Sequence, residues 1–152
     1  MGMKGVVCSL SPERLRILLE DPELVNDLSD RRVEVPGRLF YDALRALERL
    51  RTHLPGDAGR VVVATLSGEV GTGIGERGGW AYGRPHVVDG DDLVRLRHAL
   101  DALGATANID AEPDVGAIEL ELAEQDDAFL VSLADLVRRE SGRGGALLVH
   151  IT

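Results

Sequence analysis

The chain has 152 residues, 44% hydrophobic but only 3% aromatic, and carries a formal charge of −9. That size suits one domain around a single aliphatic core. The acidic balance excludes a nucleic-acid binder, which needs clustered cations. One cysteine, Cys8, excludes an internal disulfide and a multi-Cys metal site, and no apolar run nears the ~20 residues of a membrane helix.

Gly5 to Ser9 reads as a buried first strand with Cys8 as a core thiol. Ser11-Pro12-Glu13 then opens a helix, because Ser caps free amides, Pro fits the first turn and Glu favours the positive end. Leu10 and Leu15 stand at the spacing of a hydrophobic staple, and Leu15, Leu18 and Leu19 give a buried stripe. Asp21-Pro22-Glu23 repeats the start signal for a short second helix to Leu28, followed by a polar connection from Ser29 to Pro36. Leu39 or Phe40, Ala43, Leu44, Leu47, Leu50 and Leu54 share one face at helical period, predicting a third helix that Pro55-Gly56 stops.

Arg60 to Leu66, rich in Val and bounded by Gly, predicts a second strand. Gly68 to Gly83 is so dense in glycine that no regular element is expected, and Val87-Val88 predicts a short extended piece. Asp89 caps a helix over 90–103, with Asp92 placed to complete a capping box and Leu93, Leu96, Leu100 and Leu103 as the stripe. Residues 104–117 read as a loop. Ile118, Leu120 and Leu122 alternate with Glu119 and Glu121, which suggests a half-exposed strand, a helix start being the competing reading. A last helix begins at Asp126 or Asp127 with Leu130, Leu133, Leu136 and Val137 inward, Gly142 to Gly145 ends it, and Ala146 to Ile151 is a final buried strand. The expected class is α+β: a single compact domain with a small mixed sheet that includes both terminal strands, packed by about five helices.

No motif completes a catalytic set. Gly73-Ile74-Gly75-Glu76-Arg77-Gly78 matches Gly-x-Gly-x-x-Gly, but the helix that should follow is interrupted by Gly79, Gly83 and Pro85, and Glu76 repels phosphate. Asp110, Glu112, Asp114 and Glu121 have calcium-loop spacing, yet Val115 stands where the sharp turn needs Gly. His53, His86, His98 and His150 form no i, i+4 metal pair, and no Gly-x-Ser-x-Gly elbow exists. No cofactor, metal or catalytic residue is therefore expected. The candidate binding residues are Trp80, Tyr82, Arg84 and His86, with Asp89 at the helix start that follows. Trp80 is the sole Trp and Tyr82 one of two Tyr, and Trp, Tyr and Arg bury large areas while keeping polar tips. The alternative is that Trp80 and Tyr82 cover the core while Arg84 pairs with a carboxylate.

Charge is uneven. Residues 1–60 hold ten acids and ten bases, whereas 61–152 hold sixteen acids and seven bases. Such a field suits a basic protein partner, although solubility alone also accounts for it.

The start Met1-Gly2-Met3, the run Leu10-Ser11-Pro12-Glu13, the segment Phe40 to Leu54, and Tyr82-Gly83-Arg84-Pro85-His86 before an acidic helix start together resemble the YfbM-like family of bacterial proteins. The likeness covers nearly the whole chain, with Gly-Arg-Pro-His standing where the family has Gly-Pro-x-Arg. It implies a compact α+β fold and no established reaction. The expectation is a cytoplasmic, non-catalytic binding protein that uses loop 71–86 and the acidic face of residues 110–127, with a basic protein or a second copy as partner. The alternative is a small-molecule enzyme or sensor with Arg84 for an anion and His86 or Tyr82 for proton transfer, beside Asp89.

Overall fold

Two strands from opposite ends of the chain form the centre of the molecule. In the computed structural model, which describes residues 4–54, 56–75, 80, 83–104 and 117–152 (backbone alone for 117–127), β1 (Lys4–Leu10) and β5 (Ala146–Ile151) pair antiparallel. Both are continuous apolar runs, as strands covered on two faces must be. β2 (Arg38–Asp42) flanks β1, β4 (His86–Val88) flanks β5, and the two-residue β3 (Thr72–Gly73) lies outside β4. The order is β2-β1-β5-β4-β3, and every pairing is antiparallel. Among the described residues six helices pack around the sheet, so the class is α+β as the sequence indicates.

The first helix, α1 (Pro12–Glu20), starts as its cap signal requires: the Ser11 hydroxyl accepts a hydrogen bond from the Arg14 amide at 3.2 Å. Leu18 is buried beneath it, but Leu19, expected in the stripe, is 54% exposed. α2 (Leu24–Ser29) follows as a single short turn-and-a-half. The expected third helix is half strand. Residues 38–42 alternate, with Leu39 and Tyr41 on one side and Arg38 and Phe40 on the other, and pair with Cys8 to Lys4; only α3 (Arg45–His53) is helical. Leu44, expected on the buried face, is 51% exposed.

The expected strand over 60–66 is also corrected: it lies in α4 (Gly56–Leu66). Its β-branched residues favour a strand locally, but Val62, Val63 and Leu66 bury along one helical face. Gly59 permits the close crossing with the end of α3, since a Cβ there would sit 2.6 Å from the Leu54 carbonyl oxygen. α5 (Gly90–Ala102) runs where predicted, with Leu93, Leu96 and Leu100 buried. The expected strand at 118–122 is corrected to helix, because α6 spans Ala117–Arg143 without a break. The calcium-like spacing 110–116, the second half of the Gly-x-Gly-x-x-Gly match (76–78) and Tyr82 lie outside the described residues.

The pleat divides the sheet into two unequal sides. Val7, Tyr41, Val88, Leu147 and Val149 face a thick layer built from α3, α4, α5 and α6. Cys8, Leu10, Val87, Ala146 and Leu148 face a thin layer made by α1, α2, Ile74 and Trp80. Among the described residues the thick side holds twenty-one buried members and the thin side eight, yet both faces of the sheet are sealed: Cys8, Leu10, Ala146 and Leu148 on the thin side are as fully buried as Val7 and Leu147 on the thick side.

Two polar devices hold the thick side together. Glu140 of α6 is fully buried, accepts from the Ser9 hydroxyl of β1, and is gripped by Arg143 through two bonds of 2.6 Å. Burial alone would raise the carboxyl's pKa. The hydrogen bonds from Arg143 and Ser9 and the charges of Arg143 and Arg139 outweigh it and hold Glu140 below its ordinary value. Tyr41 donates to the Leu66 carbonyl, and its ring fills the space left by Gly5 opposite, where a Cβ would lie 2.0 Å from Cζ.

Candidate functional site

The sheet separates the residues that the sequence groups together. On β4, His86 shares the side of Val88, its cross-strand partners being Gly73 and Val149, so it lies at the rim of the thick layer. Arg84 lies there too. A Cβ on Gly73 would be 2.2 Å from Arg84 Nε, which places the guanidinium across Gly73 beside the imidazole. Burial holds His86 below its usual pKa; a backbone hydrogen bond to Arg84 opposes this and the Arg84 charge adds to it. Asp89 is exposed at the start of α5, and its side chain makes no capping bond.

Trp80 is on the other side. It packs on the thin-layer cluster and meets the ring of His150 edge-on, with centroids 5.2 Å apart and planes at 81°. Gly75, at φ +77°, makes room, since a Cβ there would approach the indole to 3.0 Å. The indole N–H is buried with no hydrogen-bond partner. Trp80 therefore covers the core more than it offers a platform. Trp80 and the Arg84–His86 pair cannot form one surface, because a hydrogen-bonded sheet lies between them.

His150 stands in the last strand as the sequence indicates, but its contacts with Trp80 and Ser29 have no sign there. It is 5% exposed, and its Nδ1 lies 2.9 Å from the Ser29 hydroxyl at the end of α2. Burial pushes its pKa down to about 4, so the ring is neutral at pH 7. Cys8 lies on the same side and is fully buried. Burial raises its pKa against the lowering charges of Arg14 and Arg38, which leaves an inert protonated thiol.

The thin side also carries a groove. It has a volume of about 280 Å³ and opens between α1, α2 and the connector before β2. Ile17, Leu18, Leu24, Leu28, Val35 and Pro36 line it together with the charged Arg14, Asp27 and Glu34. Ile17 is 43% exposed, and Leu19 and Val33, two further exposed large apolar residues, belong to the same helix and connector. The connector is held in place. Arg38 donates to the carbonyls of Leu28, Asp30 and Val33, Ser9 N–H donates to the Gly37 carbonyl at 2.8 Å, and the Arg31 and Arg38 guanidinia cover the Phe40 ring at 4.6 Å. A preformed groove with six apolar and three charged lining residues is thus kept open on a fixed frame. Its volume is smaller than the ~300 Å³ at which small-molecule pockets begin, and suits one or two protruding side chains.

A second groove of about 590 Å³ lies between α3 and α4, walled by Arg51, Arg60 and Glu69, all exposed. Neither groove includes Arg84, His86 or Asp89. Among the described residues no group of three or more His, Cys, Asp or Glu could hold a metal ion. No helix among them is long and apolar enough to cross a membrane.

Comparison with known proteins gives no matching family model, no matching curated protein and no matching solved structure.

Proposed function

We propose that this chain is a non-catalytic interaction protein of the cytoplasm whose contact surface is the thin side of the sheet, centred on the α1–α2 groove. One observation carries this: a groove to which Ile17, Leu18, Leu24, Leu28, Val35 and Pro36 contribute apolar walls, with Ile17 exposed, on the side of the sheet that carries the thinner layer. An exposed apolar side chain beside a preformed groove is the kind of feature a partner covers. The expected loop 71–86 enters this reading through Ile74 and Trp80, which close the same layer next to the groove. A strongly basic partner, the other partner that the charge supports, would be drawn to residues 61–152, where the acidic excess lies. The reading takes nothing from the YfbM-like resemblance, which implies no reaction.

Affinity capture from the cells of origin tests it. The unmodified chain and Val94→Glu, altered at an apolar residue equally exposed on α5, should retain the same bound protein, and Ile17→Glu should lose it. Equal capture by all three would refute the groove as the contact surface.

A further inference from the structure

We infer that two copies of this chain pair edge to edge through β2, antiparallel across a two-fold axis at Phe40, and so continue one sheet into the next. The inference is independent of the groove. In the order β2-β1-β5-β4-β3 the outer strands are β2, with five residues, and β3, with two. Ser9 N–H donates to the Gly37 carbonyl at 2.8 Å, and these residues continue the β1–β2 register. Bonding alternates along an antiparallel strand. Leu39 and Tyr41 therefore turn their N–H and C=O towards β1, and Arg38, Phe40 and Asp42 turn theirs outward. Lys4 and Thr152, which exchange both backbone bonds on the other side of β1, fix the same alternation. Among the described residues no backbone bond reaches the outward groups of Arg38 and Phe40. Folded proteins usually blunt such an edge with Pro or a bulge, whereas β2 pairs with β1 from Asp42 to Arg38 without either. The edge is also held in place: the Arg31 and Arg38 guanidinia cover the Phe40 ring, and Arg38 is tied to the carbonyls of Leu28, Asp30 and Val33. The order of residues selects a second copy as partner. Arg38-Leu39-Phe40-Tyr41-Asp42 is positive at one end and negative at the other. Laid antiparallel with Phe40 opposite Phe40, two copies set Arg38 beside Asp42 at both ends and Leu39 beside Tyr41, with every outward residue opposite an outward residue. Asp42 keeps one carboxylate oxygen for this, since the Leu44 and Arg45 amides both donate to Oδ1. Residues 30–49 around the edge hold five bases and four acids, so the strong acidity of the rest of the chain is absent here.

Sedimentation equilibrium of the full chain from about 1 to about 300 µM tests this, a range that brackets micromolar dissociation constants. The chain should pass from monomer to dimer and no further, because the pairing uses up the β2 edge. Phe40→Pro should weaken the dimer at least about 10-fold, since the lost N–H is one that only the second copy uses. Asp42→Asn keeps an oxygen for the α3 cap and drops the charge; it should weaken the dimer about 3- to 10-fold. Cys8 is buried, so Phe40→Cys supplies one accessible thiol. Mild oxidation should link two copies through it, and should link far fewer through Glu48→Cys, exposed on α3. A monomer throughout the range overturns the proposal. So does a dimer that Asp42→Asn leaves at full strength, or one that links as readily through Glu48→Cys as through Phe40→Cys. A Phe40→Pro variant that keeps both its circular dichroism and its dimer overturns it too; should that variant fail to fold, the Asp42→Asn and Phe40→Cys results decide.

Discussion

Replacing His150 should reduce the acid sensitivity of this fold above pH 5, to which His86, also held below its usual value by burial, contributes a further part. The imidazole lies 5% exposed under Trp80, and burial lowers its pKa from 6.5 to about 4. The folded state therefore binds this proton less readily than the unfolded state. Stability is fully present above pH 6.5 and falls as the pH drops, because the unfolded chain takes up the proton first. At about 1.4 kcal/mol per pH unit the whole gap is worth about 3 kcal/mol, of which about 2 kcal/mol is lost by pH 5. Carboxylates such as Glu140, held below their ordinary pKa, contribute the loss at lower pH. Urea unfolding at pH 7.5, 6.0 and 5.0 reads the effect directly, and His150→Gln should flatten the slope over that range. Trp80 supplies a second readout, since the only Trp rests on this ring and a protonated imidazole quenches indole emission. Its fluorescence should titrate near pH 4 in the folded protein. A titration midpoint near 6.5, or a pH slope unchanged in His150→Gln, would refute the account of a desolvated histidine.

Gly5→Ala should destabilise by more than about 2 kcal/mol, because the new methyl group collides with the Tyr41 ring; thermal unfolding with Gly142→Ala, where a Cβ meets nothing within 4 Å, as control checks it. Arg143→Ala should cost about 2 kcal/mol at pH 7, leaving the buried Glu140 carboxylate with Ser9 alone, and the loss should shrink in an acidic buffer that protonates it. Trp80→Phe should change stability by less than about 1 kcal/mol, since the lost N–H has no partner and the ring contact with His150 survives.

Much of the framework was legible because local and tertiary demands agree. The terminal strands are continuous apolar runs, Ser11 caps α1, and Leu93, Leu96 and Leu100 place α5. The errors fall where two patterns coincide. Residues 39–54 satisfy a helical period, yet β2 needs Tyr41 inward against Gly5 and Phe40 outward under two guanidinia, which depends on a strand 35 residues earlier. The valines of α4 prefer a strand, and packing against α5 and α3 overrides them. The candidate site was least legible. Trp80 and His86 are six positions apart, and only the register of β4 against β5 shows that they lie on opposite faces. The groove had one sign in the sequence: Ile17 and Leu19 add apolar surface to α1 beyond what a single buried stripe can use. Ser29 and His150, 121 positions apart, gave no signal at all.

Photo-crosslinking in living cells tests the contact face most directly. A benzophenone side chain at Ile17 should give a discrete protein adduct, and the same group at Val94 or Leu44, equally apolar and exposed but away from the groove, should give none. Adducts confined to Val94 or Leu44, or no adduct from Ile17, would contradict the assignment.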